Sequence, residues 1–307
     1  MDNQKTQMRE VAILYYEKGL TQIEIARQMG LTRQTVAKLL SLAIEQKVVE
    51  IKINDPEREK VLLEEKIKKK FKLEEVVISS VSRENELLSR LAVVKTGVQY
   101  VGEKVKIGNQ KIGISWGRMI EAFIDEFPKT STDKNVVFPL FGATNQEQSY
   151  FLSNEIARSF ADKLGAKVEY AWFPYKPDSE EDKNLFLNTS YYKKLAEYWA
   201  NIDIAIVGIG NSEMVQNFGK AFGYIDECRY AVGDVATHFF DKDGNFLNLY
   251  DDVLCVSLQD LKKAKQTIGV ACGNDKVEAI IGGLKAQVID TLITDEYTAR
   301  KILNYKG

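Results

Sequence analysis

The pattern of apolar and polar positions divides the chain into a short helical segment and a longer segment of alternating strands and helices. Up to residue 47, apolar side chains recur at helical spacing, which predicts a helix near 6–18 and two more within 20–47. Residues 48–53 then predict a short strand that would close a winged variant of this unit. From Glu75 onward, short continuous apolar runs alternate with amphipathic stretches, as is typical of strands buried on both faces of a parallel sheet.

The longer segment has the rhythm of an α/β domain. Strand-like runs cover 76–79, 111–117, 135–142, 167–173, 203–210, 252–258, 267–273 and 288–295, with helical stretches at 86–104, 117–127, 147–164, 189–200, 275–286 and 296–304. Residues 239–248 contain an Asp-Gly pair and predict a hairpin. The succession of strand, helix and strand predicts a layered, Rossmann-like architecture.

Within the helical segment, residues 20–47 have the spacing of a helix-turn-helix. Thr21 and Glu24 form a T-x-x-E capping box that starts the first helix. Ala26 is small where two helices approach, and Gly30 stands where the turn requires a positive φ. Thr32 is a natural N-cap for the second helix. Apolar positions that hold this helix in place are Leu31, Val36 and Leu39.

The polar face of the second predicted helix is suited to DNA. Its donors can reach phosphates and base edges in the major groove. Although the whole chain carries −2, residues 1–54 carry a net charge of +2, so this segment is the part that tolerates a polyanion. The candidate DNA-binding residues are Thr21, Thr32, Arg33, Gln34, Thr35 and Lys38. A helical pair that binds another protein is the alternative.

A charged helix is predicted at about 57–71, after the break at Pro56. Its apolar positions include Val61, Leu62, Ile67 and Phe71, and it is either a linker or an oligomerisation helix. We therefore divide the chain into a winged helix-turn-helix at 1–54, a linker helix at 55–73 and an α/β effector and oligomerisation domain at 74–307.

The composition is that of an ordinary globular protein with no sign of a metal or cofactor. Of the 307 residues, 45% are apolar and 28% charged, which suggests two domains. A single histidine and three widely spaced cysteines indicate no metal centre, no cofactor and no disulfide framework. No secretory leader or membrane-spanning run is present in the sequence, so we expect a cytoplasmic protein.

Glycines at the ends of several predicted strands indicate a ligand pocket. In open α/β sheets, ligands bind beyond the carboxyl ends of the strands, where glycine lets backbone N–H groups approach an oxyanion. The candidates are Gly117, Gly142, Gly208, Gly210 and Gly273, with Ser115, Thr144, Asn145, Asp234 and Lys276 as polar contacts. Together they predict a pocket for a small polyhydroxylated anion.

Enzyme motifs are weaker in this sequence. Residues 113–117 match the G-x-S-x-G of a nucleophile elbow around Ser115, for which His238 would be the base and Asp203 or Asp226 the acid. The sequence has no oxyanion loop of the HGGG type. Gly208-Ile-Gly210 has Glu213 in place of a third glycine, which leaves only a weak dinucleotide motif, and no phosphate-binding P-loop is present.

The order and spacing of several blocks resemble the SorC-type sugar-operon transcriptional regulators over nearly the whole chain. The blocks are the helix-turn-helix and residues 112–117, 136–142, 203–211, 230–245, 268–280 and 288–303. The resemblance implies an effector domain with a fold related to sugar-phosphate isomerases and deaminases. It also implies a phosphorylated sugar or sugar-alcohol effector, palindromic double-stranded operator DNA, and homodimers or homotetramers without membrane association.

Carried over residue by residue, the resemblance assigns effector contacts to two strand-end loops and two charged residues. These are Ser115, Trp116 and Gly117, then Gly142, Ala143 and Thr144, with Asp234 and Lys276. Ala143 departs from the glycine pair of many relatives, and Phe141 stands where the deoxyribose-phosphate branch has a Schiff-base lysine. The resemblance thus implies no covalent capture. The alternative function is a sugar-phosphate isomerase or deaminase with an appended DNA-binding module.

Overall fold

A computed structural model describes residues 2–50, 56–80, 85–105, 108–131, 134–144, 149–224, 226–247 and 252–305. The chain forms two compact units, residues 1–56 and 57–307. Within the described residues, no helix is both long and apolar enough to cross a membrane.

The first unit is a bundle of three helices. Helix α1 spans Asp2–Ala12 and continues into one π-helical turn at Ile13–Glu17. Helices α2 (Gln22–Met29) and α3 (Arg33–Glu45) form the predicted helix-turn-helix. The three helices enclose one apolar core, since burial of their inward stripes supplies most of the stability of such short helices. This core comprises Met8, Val11, Ala12, Ile25, Ala26, Val36, Leu39, Leu40 and Ala43.

The predicted wing strand is wrong for the residues that the structure describes. Val48 and Val49 lie in a bend, and their N–H groups both donate to the Ala43 carbonyl, at 2.8 and 2.9 Å. They therefore cap the end of α3, where helix carbonyls lack partners, and do not pair in a sheet. Residues 51–53 of the predicted strand lie outside the described residues.

The second unit is built on a twisted parallel sheet, as the apolar runs predicted. Strands β1 (Glu75–Ser79), β2 (Lys111–Ile114), β3 (Val136–Pro139), β4 (Lys167–Val168), β5 (Ile204–Asn211), β8 (Gln266–Val270) and β9 (Thr291–Asp295) lie in the order β1-β9-β8-β5-β2-β3-β4. Strands β6 (Gly233–Val235) and β7 (His238–Phe240) form a hairpin that pairs antiparallel with the end of β5.

Helices cover both faces of this sheet and enclose two apolar cores, one on each face. They are α4 (Pro56–Phe71), α5 (Glu86–Val105), α6 (Arg118–Glu126), α7 (Ser153–Leu164), α8 (Glu180–Asn188), α9 (Ser190–Trp199), α10 (Ser212–Phe222), α11 (Leu258–Lys263), α12 (Val277–Lys285) and α13 (Glu296–Asn304). The doubly covered parallel sheet confirms the predicted α/β class.

Some local predictions differ from the structure. The run at 167–173 is a strand only at Lys167–Val168. The run at 252–258 forms no strand in its described residues, because Cys255 makes an isolated bridge to Phe141 and helix α11 begins at Leu258. The turn at Asp243-Gly244 closes an isolated Phe240–Phe246 bridge, while the regular hairpin of β6 and β7 lies just before it.

Helix α4 belongs to the second compact unit. Leu63, Ile67 and Phe71 are buried in its core, so the helix is packed there along one face and is not a free linker. Val61 and Leu62 on its other side are about half exposed. These exposed side chains keep the oligomerisation interpretation open.

Candidate recognition helix and effector cavity

The start of the helix-turn-helix has the predicted capping geometry. The Thr21 N–H donates to Glu24 Oε2 at 2.8 Å, and the Glu24 N–H donates to Thr21 Oγ1 at 3.3 Å. Gly30 ends α2 with a φ of 66°, and its N–H donates to the Ala26 carbonyl. These local contacts fix the angle at which α3 leaves the turn.

Helix α3 presents a polar, exposed face. Arg33, Gln34, Thr35 and Lys38 are all exposed, while Val36 faces the core. Thr32 Oγ1 accepts from the Thr35 N–H at 3.1 Å and lies 2.8 Å from Thr35 Oγ1. The two threonines thus order the first turn, and the long side chains remain as donors for a ligand outside the chain.

A cavity of about 180 Å³ lies in the second unit at the carboxyl ends of β2, β5 and β8. We call it the effector cavity. The position is the one expected for a ligand of an open parallel sheet. The predicted residues that line it are Ser115, Trp116, Gly117, Gly208, Gly210, Asp234 and Lys276.

The residues that directly follow β3, up to Thr144, do not line this cavity. The Gly142 N–H donates to the Leu254 carbonyl, and a Cβ at Gly142 would overlap the Pro174 backbone, so this glycine permits close packing of two chain segments. Ala143 and Thr144 line a separate, larger and more open depression beside Trp172. Asn145 lies outside the described residues. The prediction that Gly142, Ala143 and Thr144 line the same pocket as the loop after β2 is corrected accordingly, although the loop after β3 contributes Phe151 to the lining.

Gly117 and Gly273 have the same backbone conformation after β2 and β8, respectively. Both have a φ of 119°, a conformation that L side chains rarely adopt, and each immediately precedes a helical segment. The Gly273 N–H donates to Thr298 Oγ1 at 3.0 Å, and Gly273 itself does not line the cavity. The sequence predicts that Gly273 contacts an oxyanion, but its N–H binds Thr298 and supports the fold.

Four charged residues of the cavity escaped the sequence analysis. Glu86 and Arg90 come from α5, Arg118 begins α6 and Asp275 precedes α12. Arg118 directly follows the predicted Gly117, which is a signal that the sequence offered. Glu86 begins α5, the helix that follows β1, and Arg90 lies one turn further along it, so both follow a strand end that has no glycine motif. The Arg90 guanidinium donates to the Arg118 carbonyl at 2.6 Å.

Lys276 is a largely enclosed cation. Its Nζ donates to the Ile209 carbonyl at 2.6 Å, next to the cavity-lining Gly210. Burial lowers the pKa of the Lys276 ammonium, and the attraction of Asp234 and Asp275 opposes that shift. An additional anion in the cavity would favour the charged lysine.

Asp234 is the matching carboxylate. Burial raises its pKa to about 6, against donation from the Thr237 N–H and the attraction of Lys276, both of which favour the ionised form. The Thr237 N–H donates to Asp234 Oδ2 at 3.1 Å. Asp234 Oδ1 lies against Gly210, where a Cβ would occupy the same space. Gly210 is thus required for the approach of the carboxylate.

Aromatic side chains form the apolar wall of the cavity. Trp116 packs on Phe141 with ring centroids 4.0 Å apart, and on Phe151 and Phe218 at 5.6 and 6.1 Å. Phe141 is fully buried behind Trp116 and does not line the cavity. The position of the Schiff-base lysine in the deoxyribose-phosphate branch is therefore filled by core packing.

The residues of the hydrolase alternative are not brought together. Ser115 Oγ accepts from the Gly208 N–H at 3.0 Å, whereas Nε2 of the half-buried His238 lies 3.0 Å from the Val256 carbonyl. Asp203 precedes β5 at the opposite edge of the sheet, where it accepts from the Lys111 N–H at 2.8 Å. Burial also lowers the pKa of His238 to about 4, so it is neutral near pH 7.

Comparison with known proteins agrees with this arrangement. A model of the sugar-binding domain family matches residues 55–304, and a model of sigma-70, region 4 matches residues 5–46. The chain is 31% identical over 306 residues to the sorbitol operon regulator of Klebsiella pneumoniae, with 96% of each chain covered. The chain belongs to the SorC-type regulators.

Other comparisons of this SorC-type regulator extend over its full length. The crystal structure of the full-length Klebsiella regulator SorC matches with a TM-score of 0.75 at 29% identity and covers 99% of this chain and 100% of that one. The deoxyribonucleoside regulator of Bacillus subtilis is 29% identical, with 99% of each chain covered. The SorC-type chain is therefore a sugar-related, DNA-binding transcriptional regulator.

Proposed function

We propose that this SorC-type regulator controls a carbohydrate-utilisation operon in response to a phosphorylated sugar or sugar alcohol bound in the effector cavity. The observation that carries the proposal is the lining of this cavity, which combines the cations Arg90, Arg118 and Lys276 with the carboxylate of Asp234. A phosphate monoester carries about −1.5 to −2 charges and several acceptor oxygens, which such cations bind. The carboxylate suits a sugar hydroxyl as donor.

The DNA side of the proposal is carried by α3. Arg33, Gln34 and Lys38 would contact base edges and phosphates, while Thr21, Thr32 and Thr35 would contact the backbone at the helix N-termini. One such helix makes few contacts, so two recognition helices would bind half-sites about one helical turn apart. This requires a homodimer or homotetramer. The exposed Leu87, Leu88 and Val61 of the second unit support that part of the proposal.

We further propose that the effector is bound without being converted. The relatives named above are regulators. One observation favours the alternative of an isomerase or deaminase, because a buried carboxylate of raised pKa and a lysine of lowered pKa line one cavity, as an acid and base would. Turnover of a hexose phosphate by the purified chain would support that alternative.

A thermal-shift panel tests the effector proposal. The names of two relatives contain sorbitol and deoxyribonucleoside, so we choose sorbitol 6-phosphate and deoxyribose 5-phosphate as probes, with free sorbitol and deoxyribose as the matched controls. A ligand that binds only the folded state raises Tm, by mass action, as its concentration exceeds Kd. We expect a phosphorylated member to raise Tm and its unphosphorylated counterpart to leave Tm unchanged. Equal responses to both would contradict the proposal.

A further inference from the structure

The turn between β6 and β7 has an unusual backbone. Its two residues, Ala236 and Thr237, both have positive φ, 48° and 65°. Two-residue hairpin turns of this kind are normally filled by Asn and Gly, and a β-branched residue such as threonine is an outlier there. Both residues are also buried, at 3% and 4% exposure, although hairpin turns ordinarily lie on the surface. Strain of this kind concentrates at functional sites.

The strained turn is connected directly to the effector cavity. Ala236 lines the cavity, and the Thr237 N–H donates to Oδ2 of the cavity-lining Asp234. Among the hydrogen bonds of the described residues, this is the one that the Asp234 carboxylate receives. The other oxygen, Oδ1, lies against the Cα of Gly210, the register partner of Asp234 in β5. The carboxylate is thus held on one side by the turn.

We propose that the turn at Ala236 and Thr237 positions the Asp234 carboxylate, holding one oxygen so that the other is presented to a hydroxyl of the effector. The proposal rests on the proposed function, because it requires the effector to occupy this cavity. Thr237 does not line the cavity, so it is a positioning residue that acts through Asp234. The left-handed backbone is what directs the Thr237 N–H back toward a residue three positions earlier.

This arrangement predicts how the titration of Asp234 depends on the turn. Donation from the Thr237 N–H favours the ionised carboxylate, so a loosened turn would raise the Asp234 pKa further above its ordinary value. The neighbouring His238 is neutral near pH 7 because burial lowers its pKa to about 4. The other charged groups that line the cavity are Glu86, Arg90, Arg118, Asp275 and Lys276.

Three variants separate positioning from simple relief of strain. T237G loosens the turn, whereas T237N keeps a side chain of similar volume that tolerates the left-handed region. Q287G is the matched control, since Gln287 also has a positive φ of 53° but is exposed and does not line the cavity. If the effect comes from a looser turn, the Asp234 titration and the effector affinity change in T237G and return to wild-type values in T237N.

The first measurement uses no effector. The pH dependence of Tm is recorded for each full-length protein and for its D234N counterpart, and the difference reports the titration of Asp234. We expect the midpoint in T237G to lie about half a pH unit above that of the wild-type chain. T237N and Q287G should keep the wild-type midpoint. An unchanged midpoint in T237G would overturn the proposal.

The second measurement is calorimetry with sorbitol 6-phosphate, or with deoxyribose 5-phosphate if that is the ligand that stabilises the wild-type chain. We expect T237G to bind roughly tenfold more weakly, and T237N and Q287G to bind within about twofold of wild type. If the wild-type chain binds the phosphate and T237G binds it with the same affinity, the positioning role is refuted. If neither phosphate binds the wild-type chain, the proposed function fails, and the effector-free titration still decides the role of the turn.

Discussion

The recognition helix and the effector cavity are built in opposite ways. Thr21 and Thr32 bond partners three positions away, and Gly30 supplies the one left-handed residue of the turn between α2 and α3. In the cavity, by contrast, Ser115 accepts from Gly208, 93 positions later. The surface that we propose to contact DNA is therefore set by local contacts, whereas the cavity depends on the packing of the whole second unit.

The two regions also differ in how their polar groups are satisfied. The caps of α2 and α3 have their hydrogen-bond partners within the chain. The cavity keeps a carboxylate of raised pKa and a lysine of lowered pKa, and it adjoins a turn whose two left-handed residues each cost about 1–2 kcal/mol. A region that holds charges of shifted pKa and a strained backbone can change on binding, so we expect ligand response to begin in the cavity.

The largest expected effect is a loss of operator binding that leaves effector binding intact. Replacing both Arg33 and Lys38 by alanine removes two exposed cations from α3. Loss of an arginine that contacts a base costs about 1–3 kcal/mol, and loss of the lysine adds to it, so the double variant should bind its operator about 100-fold more weakly. A mobility-shift titration measures this loss, and the log–log salt slope of binding should become shallower.

The matched control for that variant is Lys193→Ala, which removes an exposed cation from α9 in the second unit. It should leave operator affinity within about twofold of wild type. The double variant should keep its response to sugar phosphates in the thermal-shift panel. Normal operator binding by the double variant would show that α3 is not the DNA-contacting helix.

The second prediction is a loss of effector binding without a loss of stability. Lys276→Met removes the enclosed ammonium, whose pKa burial lowers, and keeps most of the side-chain volume. Sugar-phosphate affinity should fall by about 30-fold, because one charge-assisted contact is lost, while Tm without effector should not decrease. Calorimetry and a thermal melt measure the two quantities. A parallel loss of Tm and affinity would instead mark Lys276 as a structural residue.

The third prediction sharpens the role of backbone space in the cavity. Gly210→Ala forces the Asp234 carboxylate from its place, so effector affinity should fall roughly tenfold while operator binding without effector is retained. Gly102→Ala is the control, because a Cβ there meets only Phe127 at 3.8 Å. If Gly210→Ala binds effector as well as wild type, Asp234 does not contact the ligand.

The contrast between the two regions also explains what the sequence could predict. The capping box of Thr21 and Glu24 and the φ of Gly30 follow from residue types at short spacing, and the structure has both. The strand-end glycines located the cavity because the carboxyl ends of parallel strands share one edge. Such rules assign Ser115 and Gly208 to that edge before any packing is known.

The missed features depend on packing that spacing does not encode. Arg90 reaches the cavity from α5, and Gly142 is drawn away from it by the approach of the Pro174 backbone. The turn at Ala236 and Thr237 contains neither Asn nor Gly, so turn propensities point to the Asp243-Gly244 pair instead. The wing prediction fails where Val48 caps α3, since β-branched residues also occur in helix-ending bends.

The smallest predicted effect concerns the pH dependence of the cavity. The Asp234 pKa is about 6 in the folded chain against an ordinary 3.8, so the folded state holds this proton more tightly than the unfolded state does. Relative to D234N, the wild-type chain should therefore gain stability as the pH falls from about 7 to about 5. That gain is lost as the pH rises through the folded pKa.

Because Asp234 is partly exposed to solvent, we expect less than the full linkage of about 1.4 kcal/mol per pKa unit, and thus a gain of about 1 kcal/mol. This corresponds to roughly 2–4 °C in Tm for a domain of this size, and melts at several pH values measure it. E103Q, which removes an exposed acid from α5, controls for the change in net charge. A difference of opposite sign would mean that the folded state favours the ionised carboxylate, because the attraction of Lys276 outweighs the effect of burial. The charged groups of the cavity would then be stabilised within the chain, as the polar groups at the caps of α2 and α3 are.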